Sequence, residues 1–126
     1  MSKRRVLLID DEDDIRAIAC IALERVGGWE IKAAAGGAAG IAIAEEWLPD
    51  AILLDAMMPD MDGLATLKGL RERPATEAIP VVFLTASVQT SERRILLDAG
   101  ATGVLPKPFD PMTLHQVVAQ ALGWSV

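Results

Sequence analysis

A chain of 126 residues falls in the size range of one domain and can bury a two-sided core without disulfides or structural metals. Its 52% hydrophobic and 24% charged residues make it too apolar for intrinsic disorder, and 18 acidic against 12 basic side chains leave −6, which argues against a nucleic-acid backbone as direct partner. The single cysteine, Cys20, cannot form an internal disulfide, no secretory signal opens the chain, and no apolar run approaches the roughly 20 residues of a membrane span. A cytoplasmic protein with no membrane role is expected.

The basic run Lys3-Arg4-Arg5 is short and reads as a solvated entry to the first apolar run, Val6 to Ile9. That run passes directly into Asp10-Asp11 and the acidic stretch DDEDD, whose Asp13 and Asp14 suit a helix N-terminus. A helix follows over about 14–26, with Ile15, Ile18, Ala19, Ala22 and Val26 on one face and Gly27-Gly28 as its C-cap. Trp29 to Ala33 alternates apolar and polar residues, the pattern of an edge strand with one wet face. The alanine-rich, glycine-flanked segment 38–47 offers little packing volume, so a mobile or shallowly packed helix is expected there.

Ala51 to Leu54 is a second continuous apolar run, and it delivers Asp55. The loop beyond it, PDMDG, is not an EF-hand: with its acids in register, the first and twelfth ligand positions would be Met58 and Gly69. It reads as a turn in which Gly63 tolerates positive φ and opens a helix over about 64–73. Val81 to Leu84 leads to Thr85, a helix over about 91–99 ends at Gly100, and Gly103 to Leu105 leads through Pro106 to Lys107. A last helix over about 111–122 carries Leu114, Val117, Val118 and Ala121 on one face, with Asp110 as N-cap and Pro111 at its first position.

Short continuous apolar runs mark strands covered on both faces. Their strict alternation with helices predicts an α/β fold, a single doubly wound, five-stranded parallel sheet of order 2-1-3-4-5, with the crevice at the carboxyl ends of the central strands. One rim then collects Asp10, Asp11, Asp55, Thr85 and Lys107. Carboxylates so close repel one another, and a divalent cation compensates; magnesium, which takes a few carboxylates, waters and a phosphate oxygen, suits this set better than calcium. A metal-bound aspartate beside a lysine and a threonine is equipped to accept a phosphoryl group: Asp55 attacks in line, the cation and Lys107 neutralise charge, and the Thr85 hydroxyl bonds the product.

The stretches LLIDDED, PDAILLDAMMPDMDG, IPVVFLTA and AGATGVLPKPFDPMTL, spread over residues 6 to 114, resemble the receiver domain of two-component response regulators, of the chemotaxis-regulator type. The resemblance implies the flavodoxin-like strand order given above, one receiver domain over 1–126 without an output domain, and catalysis limited to the protein's own phosphorylation and dephosphorylation. By resemblance Asp55 is the phosphoacceptor, Asp11 a direct Mg2+ ligand, Asp10 an acid acting largely through water, and Met57 a ligand through its backbone carbonyl. Thr85 matches the switch hydroxyl, Lys107 the lysine that contacts the phosphoryl group, and Lys107-Pro108 the family's cis peptide. The implied partners are a sensor histidine kinase or histidine phosphotransfer protein, docking on the first helix near Ile15 and Ile18 and on the loop after Pro108, and a downstream protein target. The chain is expected to be a monomer, with dimerisation on phosphorylation left open.

Val104 stands where receivers commonly carry Tyr or Phe, so output is expected to depend on the loop after Thr85 and the 91–99 helix. Met57, two residues after the phosphoacceptor, cannot transfer a proton, and Val88 cannot orient water, so slow phosphoaspartate hydrolysis is expected. His115, without a partner at metal spacing, reads as a packing or surface residue, Cys20 as a small core or subsurface residue, and Met58 and Met61 as loop packing. Trp124 either folds back on the last helix or makes a contact. Competing readings are a small phosphohydrolase built on Asp55, weakened by the missing acid at position 57, an unphosphorylated receiver-like interaction module, and a flavin-binding module, whose phosphate the acids after the first strand would repel.

Overall fold

The computed structural model describes residues 3–86 and 89–124. Five strands, β1 (Arg5–Ile9), β2 (Glu30–Ala34), β3 (Ala51–Asp55), β4 (Val81–Thr85) and β5 (Gly103–Pro106), pair in parallel in the order β2-β1-β3-β4-β5. Between them run α1 (Asp13–Ile21, extended by a π-helical turn, Ala22–Val26), α2 (Gly37–Trp47), α3 (Gly63–Arg71), α4 (Thr90–Asp98) and α5 (Leu114–Leu122). The α/β architecture and strand order read from the sequence are those observed.

The continuous apolar runs are continuous because both faces are covered. Leu7, Ile9, Ile52, Leu54, Val81 and Phe83 pack against α2, α3 and α4, while Val6, Leu8, Leu53, Val82 and Leu84 face α1 and α5. Neighbouring residues of one strand point to opposite sides, so each run supplies both cores. β2 stands at the sheet edge as expected, but its one fully buried residue is Ala34, and Ala33, which the alternation put on the covered face, is exposed.

Several local expectations are corrected. α1 turns Ala19, Ala22 and Leu23 inward and leaves Ile18 and Val26 exposed. Those three stand at i, i+3 and i+4, an ordinary helical face, and a π turn with Gly27 N–H on Ala22 O then closes the helix. α5 begins at Leu114, three residues later than Pro111; Asp110 instead accepts the Met112 N–H in a turn before it. Val117, expected on the buried stripe, is exposed, and Ala119 is buried in its place.

α2 is not shallowly packed. Gly37, Gly40, Ile41 and Ala44 are buried, and a Cβ on Gly40 would lie 2.3 Å from Ile9 Cδ1, so small residues bring this helix close to β1. Gly63 does open α3, capped by the Asp62 carboxylate on the Ala65 N–H, but its φ is not positive. Glycine is required there because a Cβ would lie 2.6 Å from Phe83 and 2.7 Å from the Asp55 carbonyl.

Candidate functional site

The carboxyl ends of β1, β3, β4 and β5 meet at one rim, as parallel pairing requires. Asp10 follows β1 directly; its N–H donates to Ala34 O on the edge strand, its carbonyl accepts from Arg16, and its side chain is fully buried. Its Oδ1 accepts the Glu12 N–H at 2.9 Å. Asp55 is the last residue of β3, 3% exposed, and its Oδ1 accepts the Met57 N–H at 3.1 Å. Buried Thr85 closes β4, and its carbonyl accepts the Lys107 N–H at 2.8 Å, which brings β5 and Lys107 to the same edge.

Lys107 reaches inward and meets three carboxylates: Asp10 Oδ2 at 2.9 Å, Glu12 Oε1 at 3.1 Å and Asp55 Oδ1 at 3.4 Å. The Lys107-Pro108 peptide is cis, as the resemblance implied. Asp10, Asp11 and Asp55 each offer a carboxylate oxygen within 4.8 Å of the others. Asp11 Oδ1 and Asp55 Oδ2 are buried without a hydrogen-bond partner, and Asp10 Oδ2 meets Lys107 as an ion contact rather than a directed hydrogen bond.

The electrostatics follow from this crowding. Burial pushes the Asp55 carboxyl up to about 6, with the Asp10 charge and Asp11 adding to the rise and the Met57 N–H and Lys107 ammonium opposing it. For Lys107, burial favours the neutral amine, but its contacts with Asp10 and Glu12 and the Asp55 charge outweigh that and hold it firmly protonated. Three acids against one ammonium, with buried oxygens lacking donors, fit a divalent cation that prefers oxygen ligands.

The structure thus brings Asp10, Asp11, Asp55 and Lys107 together, with Thr85 on the adjoining strand end. Two contributors went unassigned in the sequence: Glu12, on Lys107, and Arg16, which bonds Asp10 O and pairs with Asp13. Arg16 carried no readable signal; Glu12 stood inside the acid run. The Met57 side chain is 75% exposed, Met58 is buried and Met61 packs partly against the core. Val88 lies outside the described residues. It also stands three positions after Thr85, not two; that position is Ser87, so the expectation of slow hydrolysis rests on Met57 alone.

His115 packs edge-on to Trp29, which also meets Trp124 edge-on at 5.4 Å, and Trp124 folds back so that its N–H donates to Ala119 O. Cys20 is half-buried, and burial pushes its thiol up. A groove of about 160 Å³ is lined by Leu105, Pro106, Pro108, Phe109 and Leu114, and Met112 in the loop before α5 is exposed.

A family model described as the response regulator receiver domain matches residues 6–119. The chain is 40% identical over 106 residues to the DNA-binding dual master transcriptional regulator RpaA of Synechocystis, covering 84% of this chain and 44% of that protein. It is 39% identical over 111 residues to the phosphate regulon transcriptional regulatory protein PhoB of Escherichia coli, covering 88% and 48%. It therefore spans about half the length of these relatives. Among solved structures, the Vibrio cholerae chemotaxis protein CheY4 superposes with a TM-score of 0.89 at 31% identity, over 95% of this chain and 99% of that one. The chain belongs to the response-regulator receiver domains.

Proposed function

We propose that this receiver is a phosphorylation-dependent switch that takes a phosphoryl group from a phosphohistidine donor onto Asp55 and changes its binding to a protein target. The observation that carries the reading is the Asp55 carboxylate at a strand tip, held by the Met57 N–H and 3.4 Å from an ammonium that Asp10 and Glu12 keep charged. A carboxylate oxygen of Asp55 attacks phosphorus as the P–N bond of the donor breaks, its electron pair returning to the imidazole. Lys107 offsets charge on the transferring oxygens, and the Thr85 hydroxyl receives them in the product.

Asp10, Asp11, Asp55 and, by resemblance, the Met57 carbonyl would hold Mg2+, whose charge neutralises the acids and the phosphoryl oxygens. The donor is a histidine kinase or phosphotransfer protein, docking over α1 and the apolar groove beside Pro108. The protein catalyses only its own phosphorylation and dephosphorylation, as a cytoplasmic monomer; no described helix is long and apolar enough to cross a membrane. Output runs through the segment after Thr85 and α4, whose Ile95 and Leu97 are exposed, because Val104 is a buried core residue that cannot carry an aromatic signal.

Incubation with Mg2+ and acetyl phosphate, followed by intact mass measurement, tests the reading. One added phosphoryl group, absent from Asp55→Asn, is expected; no addition, or addition unaffected by the substitution, refutes it. Turnover of free phosphate esters would favour the phosphohydrolase instead, which the exposed methionine at position 57 disfavours.

A further inference from the structure

Glu12 occupies the N-cap of α1, yet its side chain caps nothing. Helices favour Ser, Thr, Asp or Asn at this position, because a short oxygen-bearing side chain reaches the free N–H groups of the first turn. Here the longer glutamate crosses to Lys107, 95 residues away in sequence, and its Oε1 lies 3.1 Å from Nζ. Its backbone N–H donates to Asp10 Oδ1, and its carboxylate, though more than half exposed, turns to Lys107.

An ammonium has three donors. Lys107 directs one of them to Glu12 Oε1 and lies in ion contact with Asp10 and Asp55. A phosphoryl oxygen on Asp55 needs one of them, and the three partners are not equally costly to release. The Asp10 side chain is 0% exposed and would be left as an uncompensated buried charge; the Glu12 side chain is 59% exposed and is rehydrated when it lets go.

We propose that Glu12 is a release latch on Lys107: its carboxylate holds the ammonium in the resting protein and is the contact given up when Asp55 acquires a phosphoryl group. The proposal rests on the phosphoacceptor reading above. It makes Glu12 a positioning residue, acting through Lys107, and gives phosphorylation a second consequence, the freeing of an exposed carboxylate at the start of α1.

The test uses the whole chain as Glu12→Gln beside Asp14→Asn, an exposed acid of the same run that does not touch Lys107. Both substitutions remove one negative charge from the acidic run, so Asp14→Asn measures the general effect of charge on an anionic donor. With acetyl phosphate and Mg2+, Glu12→Gln should be phosphorylated about two- to fivefold faster than Asp14→Asn, the range spanned by one partly exposed ion pair. Equal rates in the two variants overturn the latch.

Nuclear magnetic resonance supplies a readout that a merely structural role would not move. In the wild-type protein the Glu12 carboxylate 13C shift should move to that of a solvated glutamate on adding Mg2+ and beryllium fluoride, a phosphoryl mimic, and an unmoved shift overturns the proposal. If the wild type takes up no phosphoryl group, the phosphoacceptor reading falls and the latch with it. If it is phosphorylated on Asp55 and Glu12 stays in place, only the latch falls.

Discussion

Replacing Asp55 by Asn should stabilise the protein without divalent cations, although it removes the reactive group. The Asp55 carboxyl is pushed from 3.8 to about 6 by burial and by Asp10 and Asp11. One unit corresponds to about 1.4 kcal/mol, so ionising Asp55 in the folded state costs up to about 3 kcal/mol; solvent and counter-ions at the open side of the rim reduce this to about 1–2 kcal/mol. The sign follows from proton binding. Between about pH 4 and 6 the folded protein retains a proton that the unfolded chain has lost, so stability falls as pH rises through that window and the loss is complete above it.

Asparagine does not titrate and can donate to the neighbouring carboxylates. The variant should therefore match the wild type near about pH 4 and exceed it by about 1–2 kcal/mol at about pH 7.5. Mg2+ at about 100 times its dissociation constant should return roughly 2.7 kcal/mol to the wild type, and less to the variant, which keeps only Asp10 and Asp11. Urea titrations across this pH range, with and without MgCl2, measure both quantities. A wild type whose stability does not fall relative to the variant as pH rises would refute the repulsion argument. Equal stabilisation of the two proteins by Mg2+ would remove Asp55 from the cation site.

Lys107→Met should lower the phosphorylation rate by acetyl phosphate at least tenfold, about 1.4 kcal/mol of lost charge stabilisation, while far-ultraviolet circular dichroism stays unchanged. Met57→Glu should shorten the phosphoaspartate lifetime, read by intact mass against time after donor removal, because a carboxylate beside Asp55 can take a proton from water where methionine cannot. Gly40→Ala gains about 1 kcal/mol of helix propensity but places a methyl 2.3 Å from fully buried Ile9, an overpacking cost of about 1–3 kcal/mol, so a net loss is expected in urea denaturation. Phosphorylation should move backbone chemical shifts in residues 86–99, and unmoved shifts there would exclude α4 from the output path.

The rim was legible because a parallel sheet leaves little freedom. Once four apolar runs are recognised as β1, β3, β4 and β5, every carboxyl end lies on one side, and the residue after each run must appear there. Asp10, Asp55, Thr85 and Lys107 follow from order alone. What order cannot supply is which side chains touch across it. Gly40 looked like weak packing because a glycine's value depends on its neighbour, and the neighbour, Ile9, comes from another element. On α1 the expected Ala19 and Ala22 do face inward, but the stripe turns toward Leu23, at i+4 from Ala19, rather than toward Ile18 and Val26, because which edge of a helical face is covered depends on the elements packed against it.

The same distinction governs the charged residues. Lys3 and Arg4 are exposed at the entry to β1, as read, yet the Arg4 guanidinium lies 4.3 Å from the centre of the Trp124 ring and that of Arg5 4.4 Å from that of the Trp47 ring. Within DDEDD, Asp13 and Asp14 do occupy the first turn of α1, whereas Glu12 turns toward Lys107. Local periodicity assigns a charge to a helix terminus by default, and a partner on another strand can override that default. A glutamate at a position that favours a shorter cap was the local trace of that override, since a residue poorly suited to its own backbone is held by something the backbone does not show.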